Sequence, residues 1–103
     1  MIANPTEVRT LLGVYMVEIC SEQILRRFNR YMNSVDKNGG QAYLDSERHR
    51  TKKDVENLIH KIVNAGTFSK AARYMNSASD AVIVFVMERM HWFEQYLLAM
   101  SEH

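Results

Sequence analysis

The sequence predicts an all-α fold, an irregular bundle of three long helices and one short one. Three observations predict it. One proline (Pro5) and four glycines (Gly13, Gly39, Gly40, Gly66) are the only strong breakers in 103 residues, which favours long helices over many short strands. Apolar residues recur mainly at helical spacing. The one stretch that could pass for a strand, 82–86, runs on into a helical pattern. At 47% hydrophobic residues the chain is too apolar for disorder, and its length fits a single helical domain over residues 1–103.

The elements follow in order. Asn4 is a good N-cap, Pro5 suits the first helical position, and Glu7 completes a capping box. A first helix is expected from Pro5 to about Asn33. Its apolar stripe changes face: Val8, Leu12, Tyr15 and Ile19 lie on one side, and Ile24, Phe28 and Tyr31 almost opposite. The switch falls at Cys20-Ser21-Glu22. Either the helix restarts there with Ser21 as a cap, or it continues and packs on different neighbours along its length, which would point to an oligomer. Asn33–Gly40 reads as a turn, with Tyr43 and Leu44 tucked under it.

A second helix starts at Ser46 or at Thr51, where Asp54 three residues on makes a capping box. Val55, Leu58, Ile59, Ile62 and Val63 form its stripe, and Gly66 ends it as the C′ residue. Thr67 or Ser69 caps a short third helix carrying Phe68, Ala71, Ala72 and Met75. Ser77 or Ser79 caps the last helix, expected from Asp80 to Met100. Residues 81–87 are apolar without interruption, and a helix apolar all round must be covered all round. From Glu88 on, His91 and Gln95 restore one polar stripe. Trp92, Phe93, Tyr96, Phe28, Tyr15 and Phe85 are the expected aromatic core.

The most specific local pattern is Ala65-Gly-Thr-Phe-Ser-Lys-Ala-Ala-Arg-Tyr-Met-Asn-Ser-Ala-Ser-Asp-Ala-Val82. It resembles the helix-turn-helix of LysR-type regulators. Gly66, Thr67, Phe68, Ser69, Ala71, Ala72, Met75, Ala81 and Val82 fall on that motif's positions, and Ile62-Val63 fits the helix before it. The resemblance implies two closely packed helices and a DNA-binding role. It covers about a fifth of the chain and departs where bases would be read. Ile83, Val84, Phe85 and Met87 stand there, and none can donate to a base edge or a phosphate.

Net charge is +1, which excludes no partner class. The distribution is uneven: from Arg26 to Lys53 eight basic residues face three acidic ones, and the rest of the chain carries a net −4. An antiparallel hairpin of the first two helices would gather Arg26, Arg27, Arg30, Arg48, Arg50, Lys52 and Lys53 at one end. Such a patch can take phosphates or an acidic protein. It also fits a solvated face with local pairs such as Arg50–Asp54 and Lys52–Glu56.

No enzyme chemistry is assembled. Cys20 and Ser21 have no predictable histidine partner, there is no phosphate-binding glycine loop, and no metal or cofactor is expected. Glu88-x-x-His91 has the spacing found in di-iron bundles, which makes a carboxylate/His metal bundle a second alternative, but a second such segment is missing. Charges within 81–100 argue against a membrane span. A lone cysteine and an N-terminus without a basic, apolar leader suggest a cytoplasmic protein. The expectation is a small non-enzymatic regulator or adaptor that binds a macromolecule, as a homodimer or through a partner helix at Ile83, Val84, Phe85 and Met87. Its first alternative is a nucleic-acid-binding regulator.

Overall fold

The computed structural model describes residues 21–91. Five helices occupy them, α1 (Glu22–Lys37), α2 (Gln41–Arg50), α3 (Lys52–Val63), α4 (Phe68–Ser77) and α5 (Asp80–Arg89). Among the described residues 82% are helical and none forms a strand, so the fold is all-α. The part of the expected first helix before Ser21, the tail beyond His91, and the core positions Tyr15, Trp92, Phe93 and Tyr96 lie outside these residues.

Helix α1 begins at Glu22, with Ser21 as its N-cap. Ser21 is extended, and its Oγ accepts a hydrogen bond from the Ile24 amide at 3.4 Å. Glu22 and Lys37 complement the helix dipole at the two ends. Ile24, Phe28, Tyr31, Met32 and Val35 share one stripe and face the core. The helix runs four residues past Asn33, so the expected turn shrinks to Asn38-Gly39-Gly40. Gly40 has φ 63° and ψ −129°, a backbone open to glycine alone, and its amide donates to the Val35 carbonyl at 2.9 Å.

Residues expected to be loop or a helix start instead form α2. It has no buried residue and no apolar stripe. Local polar pairs support it: Gln41 Nε2 donates to Asp45 at 2.9 Å, and Arg48 Nη1 donates to the same carboxylate at 2.7 Å. Thr51 is not the side-chain cap its spacing suggested. It is 1% exposed, and its hydroxyl donates back to the Glu47 carbonyl at 2.8 Å. One expected helix thus becomes two walls, α2 and α3, meeting at a buried threonine.

Helix α3 buries Val55, Leu58 and Ile62. Its C-cap is Asn64, and Gly66, two residues on, holds the positive φ of 83° that turns the chain. Thr67 caps α4 through the Lys70 amide, and Ser79 caps α5 through the Val82 amide. Helix α4 leans on α3, while α5 packs against α1 and α3 and touches α2. The core is built around α5.

Helix α5 stops at Arg89 instead of running to Met100. Met90 is its C-cap, and His91 takes the left-handed conformation at φ 56° while its amide donates to the Glu88 carbonyl at 3.1 Å. No helix among the described residues is long and apolar enough to cross a membrane.

Candidate functional site

The first sequence-derived site, Ile83, Val84, Phe85 and Met87, is buried inside a single copy of the chain. All four are 0–3% exposed, and the whole run Ala81–Met87 is buried. This corrects the expectation that so apolar a rod must meet another surface. Among the described helices, α1 and α3 pack against the rod and α2 touches it. Phe85 meets Tyr31 edge-on, with ring centroids 6.1 Å apart, and the Arg48 guanidinium sits 5.3 Å from its centroid on another side. Helix α5 stands where the helix-turn-helix resemblance would put the reading helix, yet from 81 to 87 it has no exposed face with which to enter a groove.

The second site divides. Arg27 lies at the α5 N-terminus, where Nε donates to Asp80 at 2.7 Å, Nη1 to the Asn76 carbonyl at 3.0 Å and Nη2 to the Ala78 carbonyl at 2.6 Å. Arg30 grips the other Asp80 oxygen at 2.8 Å. Burial alone would raise the Asp80 pKa, but the hydrogen bonds from Arg30 and Arg27 outweigh it and hold the carboxyl below its ordinary range. Arg48 works at the opposite end of α5, pairing with Glu88 at 3.0 Å as well as with Asp45. Glu88 lies eight positions along the helix from Asp80, about 12 Å along the axis. The arginines therefore pin both ends of α5 and do not gather into one patch.

The remaining cations are dispersed. Arg26 pairs with Glu22 on the surface. Arg50 pairs with Glu47 at 2.6 Å rather than with Asp54, and that hydrogen bond is the main cause of a lowered Glu47 pKa. Glu56 faces Arg89 at 3.8 Å rather than Lys52. Lys52 and Lys53 are exposed, and neither has an ion pair among the described residues.

The arrangement also contains a feature that sequence reasoning missed. Phe28 and Met32 of α1, Leu44 of α2, and Val84 and Met87 of α5 line an open apolar cleft of about 370 Å³, rimmed by Glu88 and His91. A smaller hollow of about 230 Å³, lined by Arg48, Val55, Phe85 and Arg89, shares that rim. Phe28 and Met32 are one turn apart and half-buried, as is Leu44. The legible signal was a Phe-Met pair at i,i+4; Leu44, alone on a polar helix, carried none.

Among the described residues, Tyr31 Oη and Arg48 Nε, both near Phe85, are buried without a hydrogen-bond partner. Burial first, and the nearby Glu47 charge second, push the Tyr31 phenol up to about 12. The metal reading finds little to build on. Glu88 is engaged by Arg48, and among the described residues no three His, Cys, Asp or Glu side chains converge. Compared with protein-family models, curated proteins and solved structures, the chain matches none.

Proposed function

We propose that the protein is a small non-enzymatic regulator or adaptor that acts by binding a macromolecular partner, and that its first partner is a second copy of itself. One observation supports the reading: the open apolar cleft between α1, α2 and α5. A groove of this kind suits the apolar face of an amphipathic helix. The solution mass tests it. Wild type at micromolar concentration is expected to run as a dimer, and Leu44→Glu, on the exposed helix α2, as a folded monomer. A monomeric wild type would end the homodimer reading.

The alternative is a nucleic-acid-binding regulator. Lys52 and Lys53, exposed and without an ion pair among the described residues, favour it, with Arg50 beside them. These lysines, not the arginines holding α5, would meet phosphates. Retention on duplex DNA at low salt that vanishes in Lys52→Glu/Lys53→Glu would support it, and no retention at low salt would dismiss it.

A further inference from the structure

We propose that a second opening, on the far side of α5 from the cleft, holds a short dipolar ligand: a molecule of about tripeptide length with an amine at one end and a carboxylate at the other. Val84 lines the cleft and Val82 the second opening, and two positions turn a helix by about 200°, so the two face opposite ways. The opening, of about 400 Å³, lies between α3 and the turn from α4 to α5. Buried Leu58 and Val82, with half-buried Ala78, form its apolar floor.

The polar groups above that floor are ordered along one line. Asp54, Asn57 and Lys61 stand at i, i+3 and i+7 of α3 and share one stripe beside the opening. Asp54 marks one end and Lys61 the other, seven positions and about 10 Å apart along the axis. Both are exposed, and neither has an ion pair among the described residues; Arg50, the cation one turn before Asp54, is held by Glu47. The Lys61 ammonium lies 5.8 Å from the centroid of the Tyr74 ring, a cation–π contact that keeps it at its end of the opening.

This pattern selects the ligand by charge. A polyanion would be repelled at Asp54 and a polyamine at Lys61, whereas a dipolar chain satisfies both ends. An extended peptide spans about 3.3–3.6 Å per residue, so about three residues match the gap. The apolar floor suits small aliphatic side chains, and the Asn57 amide, placed between the two charges, can both donate to and accept from a peptide group. The site is independent of the cleft and of the self-association reading.

Titration of the isotope-labelled full-length chain with trialanine, followed by NMR, tests this. Saturable shifts are expected at the amides of Asp54, Asn57, Lys61 and Tyr74. N-acetyl-trialanine and trialanine amide each lack one terminal charge and should bind more weakly by up to about fivefold, the range of an exposed ion pair. The defects should cross over: Asp54→Asn should bind trialanine and its acetylated form equally, and Lys61→Gln should no longer distinguish trialanine from its amide. Both side chains are exposed, so circular dichroism should show both variants folded. No saturable shift, or equal affinity of wild type for free and blocked peptides, would overturn the proposal whatever the variants do. The cleft is judged separately, by the solution mass of Leu44→Glu.

Discussion

Asp80→Asn isolates the clamp at the start of α5. The substitution keeps the side chain's shape and removes the charge that Arg27 and Arg30 share. Hydrogen bonds to a charged group contribute about 1.5–3 kcal/mol each when well enclosed. Arg27 and Asp80 qualify, with side chains 20% and 25% exposed. Arg30 is 71% exposed and adds at most the ~0–1 kcal/mol of a surface pair. Arg27 keeps both of its carbonyl partners in the variant, which limits the loss, while the lost anion in the first turn adds about 0.3–1 kcal/mol. The expected cost is about 2 kcal/mol, or a urea midpoint lowered by about 1–2 M for a domain of this size.

The pH dependence carries a second check. The folded Asp80 pKa lies below its unfolded value, so the clamp's stabilisation is complete above about pH 4, the ordinary aspartate value, and fades as pH falls through the lower folded value. Urea unfolding followed by circular dichroism, for wild type and variant at neutral and acid pH, reads both effects. The stability gap should be wide at neutral pH and narrow in acid. A neutral-pH gap under about 0.5 kcal/mol, or one of constant width down to acid, would refute the reasoning.

Three further substitutions probe the core. Phe85→Ala removes a ring that touches both Tyr31 and Arg48 and should cost about 3–5 kcal/mol in chemical denaturation, a large share of a small domain's stability. Thr51→Val deletes the hydroxyl bonded to the Glu47 carbonyl, with an expected loss of about 1 kcal/mol in the same assay. Tyr31→Phe should cost almost nothing, because the hydroxyl it removes is buried without a partner. Spectrophotometric titration checks the same phenol in wild type. With a folded pKa of about 12 against about 10 unfolded, its titration leaves stability unchanged below pH 10 and lowers it as pH climbs from there.

Much of the local structure was legible. Thr67 and Ser79 cap the helices their spacing suggested, Ser21 caps α1, and Val55, Leu58 and Ile62 of the predicted stripe are buried, whereas Val63, placed on the same stripe, is 56% exposed. The misses have physical causes. A threonine three residues before an aspartate looks the same whether its hydroxyl accepts forward, as a cap, or donates backward, as Thr51 does. Helix α2 lacks the apolar periodicity by which helices are recognised, since side-chain pairs on its surface support it instead.

Residues 81–87 announced that they must be covered, but not by whom. Nor does the spacing of arginines reveal that Arg27 has its carboxylate 53 residues away. The cleft was invisible for a related reason, being made by three helices none of which carries it alone.

Gripping α5 at Asp80 and at Glu88 has a consequence for its length. Inserting or deleting one residue between them would swing Glu88 by about 100° and slide it ~1.5 Å, away from Arg48. Conservative exchange of one apolar residue for another can be absorbed within 81–87, but a change in their number cannot. The spacing of the two acids works as a ruler for the segment between them.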